Sequence, residues 1–184
     1  MKTLKILAIS GSLRKLSFNS GLLRAAKELA PEGVEIEMVE IGHLPLFNAD
    51  LESDFPKEVT ELKNKIRSVD GILFASPEYN RSVSGVLKNF LDWTSRPYGD
   101  SAWDAKPVAT IGGAPGNTGS ALSQYALRQS LLYLDCRILG QPEFFVSQVK
   151  EKFDNQSNLT DAKTKEKLTE LLKTFASFIN QLAK

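Results

Sequence analysis

The sequence predicts an α/β fold in which helices cover both faces of a doubly wound parallel sheet. Strand-like and helix-like patterns alternate along all 184 residues, as helical crossovers between parallel strands require. Residues 71–76 (Gly-Ile-Leu-Phe-Ala-Ser) show no polar alternation, which is typical of a central strand buried on both faces. No repeat, linker or low-complexity stretch interrupts the chain, so we expect one domain over residues 1–184.

Local patterns place the elements in order. Residues 4–10 are an apolar strand, and residues 19–30 have the one-sided apolar spacing of a helix. Residues 34–40 alternate apolar and charged side chains, as an edge strand with one solvated face does. The remaining predicted elements are helices at 56–68, 84–94, 119–134 and 161–183, strands at 71–76 and 107–113, a fifth strand within 137–147, and a polar excursion at 150–161.

Bulk composition excludes several classes of function. A formal net charge of +1 gives no electrostatic reason to expect nucleic acid or an anionic membrane as a partner. No apolar run approaches the roughly 20 residues that span a bilayer. With one cysteine, Cys136, and one histidine, His43, the chain has no pair for a disulfide and no cluster for a metal. We therefore expect no metal and a cytoplasmic location.

The expected strand order is 2-1-3-4-5, with helices on both faces. This order places a ligand crevice between strands 1 and 3, at their carboxyl ends. The loops after strands 1, 3 and 4 should then carry unusual chemistry. By contrast, the loop after strand 2, residues 41–50, is an ordinary turn rich in Leu, Pro, Asn and Asp.

The loop after strand 1 reads Gly-Ser-Leu-Arg-Lys-Leu-Ser-Phe-Asn over residues 11–19. It brings hydroxyl groups, backbone N–H groups, one arginine and a helix N-terminus together, which suits the dianion of a phosphate monoester. It has neither the lysine-containing loop of triphosphate-binding proteins nor the Gly-x-Gly-x-x-Gly of dinucleotide-binding proteins. Taken alone, an ordinary turn with helix-capping serines explains the pattern equally well.

The two other loops suit a flat ligand. Residues 77–85 read Pro-Glu-Tyr-Asn-Arg-Ser-Val-Ser-Gly, which puts an aromatic ring beside amide groups at a strand end. Ser82 or Ser84 in the same run is also a predicted helix cap. Residues 112–119 contain four glycines in eight positions, which would leave backbone amides open to close approach.

Four stretches together resemble the NAD(P)H-dependent FMN reductase family: residues 11–19, residues 44–50 (Leu-Pro-Leu-Phe-Asn-Ala-Asp), residues 77–80 with 85–89, and residues 112–119. The resemblance extends in order to about Phe145, and the family includes bacterial quinone, azo-dye and chromate reductases. It implies a flavodoxin-like three-layer sandwich with bound FMN and with NAD(P)H as co-substrate. Quinones, free flavin or other small acceptors would be reduced by a ping-pong mechanism, with the chemistry at N5 of the flavin and no catalytic side chain.

By the same resemblance, the first loop would surround the FMN phosphate and ribityl chain, and the second would line the isoalloxazine ring. Arg14 would anchor the phosphate, and Arg81, where some relatives carry an aromatic residue, would steer an anionic substrate. N–H groups of residues 112–116 would stabilise negative charge on the reduced flavin. The complete set of predicted flavin-binding residues is Ser10, Ser12, Leu13, Arg14, Ser17, Phe18, Asn19, Pro77, Glu78, Tyr79, Asn80, Arg81, Gly113, Ala114 and Gly116.

Other conspicuous residues have ordinary interpretations. His43 lies in a loop without a second histidine, and Cys136 is predicted to be a packed thiol. The segment 95–106 has carboxylates within and beside it, and we expect a solvated connection or a subunit contact there rather than a hydrolytic carboxylate pair.

Three other functions fit parts of the pattern. A flavodoxin-type electron carrier would bind FMN without oxidising a nicotinamide, but such carriers are usually strongly acidic. An enzyme that binds NAD through the first loop would use Glu40 for a ribose, but the glycine fingerprint is missing. A flavin-based sensor would bind FMN without turnover. The family resemblance also implies a homodimer or homotetramer.

Overall fold

The computed structural model describes residues 3–183. Helices and strands alternate along this part of the chain, with two short 3-10 helices at Ala49–Ser53 and Val149–Glu151. The elements are β1 (Leu4–Ser10), α1 (Phe18–Glu28), β2 (Val34–Val39), α2 (Lys57–Ser68), β3 (Gly71–Ala75), α3 (Gly85–Thr94), β4 (Pro107–Gly113), α4 (Ala121–Tyr133), β5 (Arg137–Ile138), β6 (Phe145–Val146) and α5 (Ala162–Leu182).

The sheet is parallel and has the order β2-β1-β3-β4-β5, which confirms the predicted fold class and strand order. The predicted fifth strand is split in two, because β5 pairs with the start of β4 and β6 pairs with its end. Gly140 and Pro142 lie between the two pieces, and a proline has no N–H for a sheet ladder. The carboxyl ends of β1, β3 and β4 lie side by side at one edge of the sheet.

Two hydrophobic cores lie on opposite faces of the sheet. Ile6 and Ala8 of β1 belong to the core that contains α1 and α5, whereas Leu7 and Ile9 belong to the core that contains α2, α3 and α4. This alternation is what a strand with two buried faces requires. The result is the predicted arrangement of helices on both faces of the sheet.

Helix boundaries follow their caps. The Ser17 side chain caps α1, so this helix begins one residue before the predicted start. Of the two predicted caps for α3, the structure uses Ser84. Helix α4 begins two residues later than predicted, because Gly119 and Ser120 both have positive φ angles of 58° and 72°. Among residues 3–183, none of the helices combines the length and the hydropathy of a membrane-spanning segment.

Candidate functional site

Three loops meet at the carboxyl edge of the sheet. We name them loop 1 (residues 11–17), loop 2 (residues 76–84) and loop 3 (residues 114–120). The N–H of Gly11 donates to the Ala75 carbonyl at 2.9 Å, and the N–H of Ser76 donates to the Ile111 carbonyl at 2.9 Å. These bonds extend the sheet pairing by one residue. Loop 1 therefore begins beside the end of β3, and loop 2 begins beside the end of β4.

Gly11 permits loop 1 to lie directly against loop 2. A Cβ atom at this position would be 2.4 Å from Leu87 Cδ1 and 2.8 Å from Pro77 Cδ. Both distances are well inside van der Waals contact, so any side chain would push the two loops apart.

The helix end that loop 1 leads into offers free backbone N–H groups. The Ser17 hydroxyl accepts the N–H of Ser20 at 3.2 Å, and Ser17 itself is buried. Helical geometry gives the N–H groups of Phe18 and Asn19 no acceptor within the helix. Together with the helix dipole, these groups form a site that favours an anion.

The loop 1 hydroxyls are connected to one another. Ser10 Oγ lies 2.9 Å from Ser20 Oγ, and it also accepts the N–H of Ser12 at 3.3 Å. Ser12 Oγ in turn accepts the N–H of Arg14 at 3.4 Å. These contacts hold the loop in a defined shape and leave the hydroxyl hydrogen of Ser12 free to donate.

The Arg14 side chain is exposed and stacks on an aromatic ring. Its guanidinium carbon lies 4.7 Å from the centroid of the Phe18 ring, a cation–π geometry. Within residues 3–183, the structure shows no carboxylate paired with Arg14. Its charge is therefore available to an incoming anion.

A cleft of about 660 Å³ opens beside loop 1. Its walls come from loop 1, the first turns of α1 and the end of β2, so it lies on the β2 side of loop 1. Four of the predicted residues line the cleft, namely Ser10, Ser12, Leu13 and Arg14. Lys15, Arg24, Glu40 and His43 are the other ionisable residues in its walls.

The Asn19 side chain is bonded to Gly113, the last residue of β4. Its amide nitrogen donates to the Gly113 carbonyl at 3.1 Å, and its amide oxygen accepts the Gly113 N–H at 3.0 Å. Both groups are buried. The Asn19 side chain therefore joins α1 to β4, and its contribution to an anion site is its backbone N–H.

Glu78 of loop 2 caps helix α4. Its Oε2 accepts the N–H of Leu122 at 3.0 Å and that of Ser123 at 3.4 Å, and its Oε1 accepts the Thr118 hydroxyl at 3.3 Å. Ser120, at the cap position, makes no side-chain cap bond, so the carboxylate takes that role from a distant loop. Both carboxylate oxygens of Glu78 therefore accept hydrogen bonds from α4 and loop 3, and its place beside a flavin ring stays a prediction.

The tip of loop 2 is a tight hairpin. Tyr79 and Ser82 exchange two backbone hydrogen bonds of 3.3 and 3.0 Å. Asn80 and Arg81 between them both have positive φ angles, 50° and 63°, which is the geometry of a type I′ turn. The Tyr79 side chain is 52% exposed, so its ring is available to a ligand. Arg81 is exposed and forms an ion pair of 3.3 Å with Glu78.

The backbone N–H groups of residues 112–114 correct the prediction that this segment donates to the flavin. The N–H of Gly112 donates to Phe144, that of Gly113 to Asn19, and that of Ala114 to Val146. Three of the N–H groups that we expected to face the flavin therefore already donate to residues 144 and 146 and to Asn19 of α1. Within residues 112–116, position 115 is a proline, which leaves the N–H of Gly116 as the candidate donor.

The glycines of this segment have different roles. A Cβ at Gly112 would lie 2.2 Å from Ser120 Oγ, and one at Gly113 would lie 2.6 Å from Val149 Cγ1. These two glycines permit close packing inside the protein. A Cβ at Gly116 would meet no atom within 4 Å, so this position faces open space.

The remaining titratable groups do not form a catalytic cluster. Burial raises the pKa of the Cys136 thiol to about 12, so this thiol stays protonated and unreactive. His43 lies in the cleft beside loop 1. Among residues 3–183, no group of three or more His, Cys, Asp or Glu side chains is placed to hold a metal ion.

Comparisons with known proteins agree with this geometry. A family model described as NADPH-dependent FMN reductase matches residues 4–151. The 2-hydroxy-1,4-benzoquinone reductase of Burkholderia sp. is 42% identical over 176 residues, which are 96% of this chain and 96% of that protein. The NADPH:quinone oxidoreductase of Arabidopsis thaliana is 46% identical over 97% of this chain and 93% of that protein. The solved structure of FerB from Paracoccus denitrificans, a flavoenzyme NAD(P)H:(acceptor) oxidoreductase, has a TM-score of 0.89 at 37% identity, over 97% of this chain and 98% of that chain.

These findings confirm the family resemblance, the flavodoxin-like fold, and FMN and NAD(P)H as cofactor and co-substrate. They identify the protein as an oxidoreductase and do not support a flavodoxin-type carrier. The family match spans most of the chain, and relatives above 40% identity span nearly all of it. The chain therefore belongs to the NADPH-dependent FMN reductase family.

Proposed function

We propose that this protein uses electrons from NAD(P)H to reduce quinones and related small acceptors, with FMN bound across loops 1, 2 and 3. The observation that carries the proposal is the N-terminus of α1, where N–H groups without helical acceptors and serine hydroxyls meet the exposed cation of Arg14. Relatives that are quinone reductases support the choice of acceptor.

The phosphate end of FMN fits loop 1. Ser12 has a hydroxyl hydrogen to donate, Arg14 has an exposed guanidinium, and Phe18 and Asn19 have N–H groups without helical acceptors. A phosphate dianion needs several donors and positive charge together, and this loop supplies both. The Ser10 and Ser17 hydroxyls support the shape of the loop through their contacts with Ser20.

The ring end of FMN fits loops 2 and 3. Tyr79 presents an exposed aromatic ring, Asn80 an exposed amide, and Gly116 an open backbone. Pro77 fixes the backbone direction at the start of loop 2. Ala114 would contribute main-chain surface, since its N–H already has an acceptor. Gly113 is buried, and it would act indirectly, through its pairing with Asn19.

When bound, FMN would supply the redox chemistry between the reduced nicotinamide and the acceptor. The residues of this chain supply binding, orientation and charge. Arg14 neutralises phosphate charge, and the N–H of Gly116 would donate to negative charge that develops on the ring. Arg81, 68% exposed on its side chain, would attract anionic substrate groups to the site.

One spectrum and one assay test the proposal. The purified protein should absorb near about 450 nm, as bound oxidised flavins do, release FMN on denaturation, and consume NAD(P)H when a quinone is present. A colourless protein whose spectrum ignores added FMN would contradict flavin binding. A yellow protein that dithionite bleaches but NAD(P)H does not would instead favour an electron carrier.

We also propose that the protein forms a homodimer or homotetramer through α4. Leu122, Tyr125 and Leu132 follow one stripe of this helix and are 43%, 54% and 71% exposed, and Tyr133 beside them is 83% exposed. Such a stripe favours association, and the net charge of +1 does not oppose it. Sedimentation should show an oligomer that Leu132→Glu dissociates. The control Leu46→Glu, at another exposed leucine, should leave it intact, and a monomeric native protein would contradict the proposal.

The cytoplasm is the proposed location. A buried free thiol at Cys136 is compatible with a reducing compartment, and NAD(P)H is available there. Fractionation with an antibody against the native protein tests this, and recovery with secreted proteins would contradict it.

A further inference from the structure

A short segment that precedes α5 packs behind loop 1. Residues 153–159, which we name the buttress, form a closed loop in which Phe153 and Leu159 pair as an antiparallel bridge. The N–H of Asp154 donates to the Asn158 carbonyl at 3.0 Å. The buttress lies within the stretch that the sequence predicts to be a polar excursion, yet Phe153, Ser157 and Leu159 are all buried.

Ser157 is the point at which the buttress contacts loop 1. Its hydroxyl donates to the Leu16 carbonyl at 2.9 Å, although the two residues are 141 positions apart. Its own carbonyl accepts the guanidinium of Arg24 at 2.8 Å. Ser157 is only 3% exposed, so water cannot easily replace either bond.

The surrounding packing is specific to this contact. A Cβ atom at Gly21 would lie 2.1 Å from the Ser157 carbonyl oxygen, so the buttress approaches α1 as closely as a glycine allows. The centroid of the Phe153 ring lies 5.2 Å from that of the Phe18 ring. The Arg14 guanidinium stacks on the same Phe18 ring. The buttress thus contacts both the backbone of loop 1, at Leu16, and the first side chain of α1, at Phe18.

The Ser157 bond sets the direction of an N–H group in the candidate phosphate site. The carbonyl of Leu16 and the N–H of Ser17 belong to one planar peptide group, and in a trans peptide they point in opposite directions. Because Ser157 holds the Leu16 carbonyl toward the buttress, the Ser17 N–H points away from it. That N–H precedes those of Phe18 and Asn19 at the N-terminus of α1.

We propose that Ser157 is a positioning residue for the phosphate group of FMN, acting through the Leu16–Ser17 peptide. This inference rests on the proposed function, in which loop 1 holds the phosphate. Ordering donor groups during binding costs free energy, which weakens affinity. Donors that are already held in place before the ligand arrives avoid that cost. The family model matches residues 4–151, so Leu16 lies within the matched part of the chain and Ser157 lies beyond it.

The test compares FMN with riboflavin, which lacks the phosphate. Dissociation constants for both are measured by fluorescence titration of the flavin-free protein. Ser157→Ala should weaken FMN binding about threefold to tenfold, the effect of one lost hydrogen bond, and should change riboflavin binding less than about twofold. The control Ser68→Ala removes a hydroxyl that donates to the Lys65 carbonyl at the same 2.9 Å, at the end of α2, and should change neither constant.

Two results would overturn the inference: an unchanged FMN constant, or an equal loss of affinity for both flavins, since a merely structural serine would affect both. If Ser157→Ala does not fold, Ser157→Gly removes the same hydroxyl at a position whose φ of 59° suits glycine, and it should show the same loss for FMN only. A native protein that binds riboflavin as tightly as FMN would contradict the phosphate site itself, which separates a failure of the proposed function from a failure of this inference.

Discussion

Asn19 and Gly113 pair through two buried hydrogen bonds that join the first turn of α1 to the last residue of β4. The side-chain amide of Asn19 here imitates the backbone of a neighbouring strand, because it offers one donor and one acceptor to the same residue. Both residues are flavin-binding candidates, and the pairing shows that they also fix the spacing between loops 1 and 3. The geometry of the site therefore depends on a contact between two protein residues, in which the ligand takes no part.

Asn19→Ala should destabilise the flavin-free protein by about 2–4 kcal/mol, because it leaves a buried donor and a buried acceptor of Gly113 without partners. Urea unfolding measures the change. The control Asn48→Ala removes an exposed cap of a 3-10 helix and should cost only about 0.5–1 kcal/mol. Equal losses in the two variants would show that the Asn19 pairing contributes little.

Glu78→Ala should loosen the start of α4, because the carboxylate is the side chain that caps its first N–H groups. The loss of a cap costs about 1–2 kcal/mol, so amide exchange at Leu122 and Ser123 should accelerate about tenfold. Arg81→Ala is the matched control, because it removes only the exposed partner of Glu78 and should leave exchange nearly unchanged. Exchange rates that rise as much in the arginine variant would show that the ion pair, and not the cap, orders α4.

Most of the fold could be predicted because its signals are local. The periodicity of β1 and α5 places them within a residue or two, and Ser17 and Ser84 mark helix starts that depend on neighbouring residues alone. The fifth strand was less predictable. Its division into β5 and β6 depends on which part of β4 each piece contacts, and no pattern within residues 137–147 specifies that register.

The candidate site could be predicted only in part. Strand order alone placed loops 1, 2 and 3 at one edge, because the carboxyl ends of parallel strands coincide. The contacts that shape the site were not predictable, since Glu78 and Leu122 are 44 residues apart and Asn19 and Gly113 are 94 apart. A glutamate in a loop has no sequence signal that distinguishes a ligand contact from a cap on a distant helix.

Asp100 should make the free energy of unfolding depend on pH in the acid range. A hydrogen bond from the Lys63 ammonium, at 2.6 Å, holds the pKa of the Asp100 carboxyl below its ordinary value of 3.8. The unfolded chain therefore takes up this proton at a higher pH than the folded chain does. The stabilisation is complete above the unfolded pKa and is lost as the pH falls through the lowered value. Asp100→Asn should reduce stability at pH 7 and flatten its decline below about pH 4, measured as the melting temperature across pH. Parallel curves for the two proteins would contradict this.

Cys136 should be inert in the folded protein. Its pKa is raised to about 12 by burial, so a thiol reagent at pH 8 should react at the rate of unfolding and not at that of a free thiol. The same raised pKa should make the free energy of unfolding depend on pH in the alkaline range. An unfolded thiol ionises near its ordinary value of 9.0, so this group's contribution to stability falls between about pH 9 and 12. Cys136→Ala should remove that part of the alkaline decline. Fast labelling of the native protein would show that the thiol is accessible.

Arg14→Ala should weaken FMN binding by about 1–3 kcal/mol, because a phosphate dianion would lose a charge-assisted hydrogen bond from an arginine that no carboxylate in residues 3–183 neutralises. Riboflavin binding should change little, since it has no phosphate to contact. Lys15→Ala is the matched control, because it removes an equal charge from the next residue of the same loop and should cost less than half as much. Titration of the flavin-free native protein and both variants with FMN and with riboflavin gives the change in binding free energy for each variant and each flavin. If the two variants lose equal affinity for FMN, the phosphate responds to the general field of the loop and Arg14 is not its direct partner.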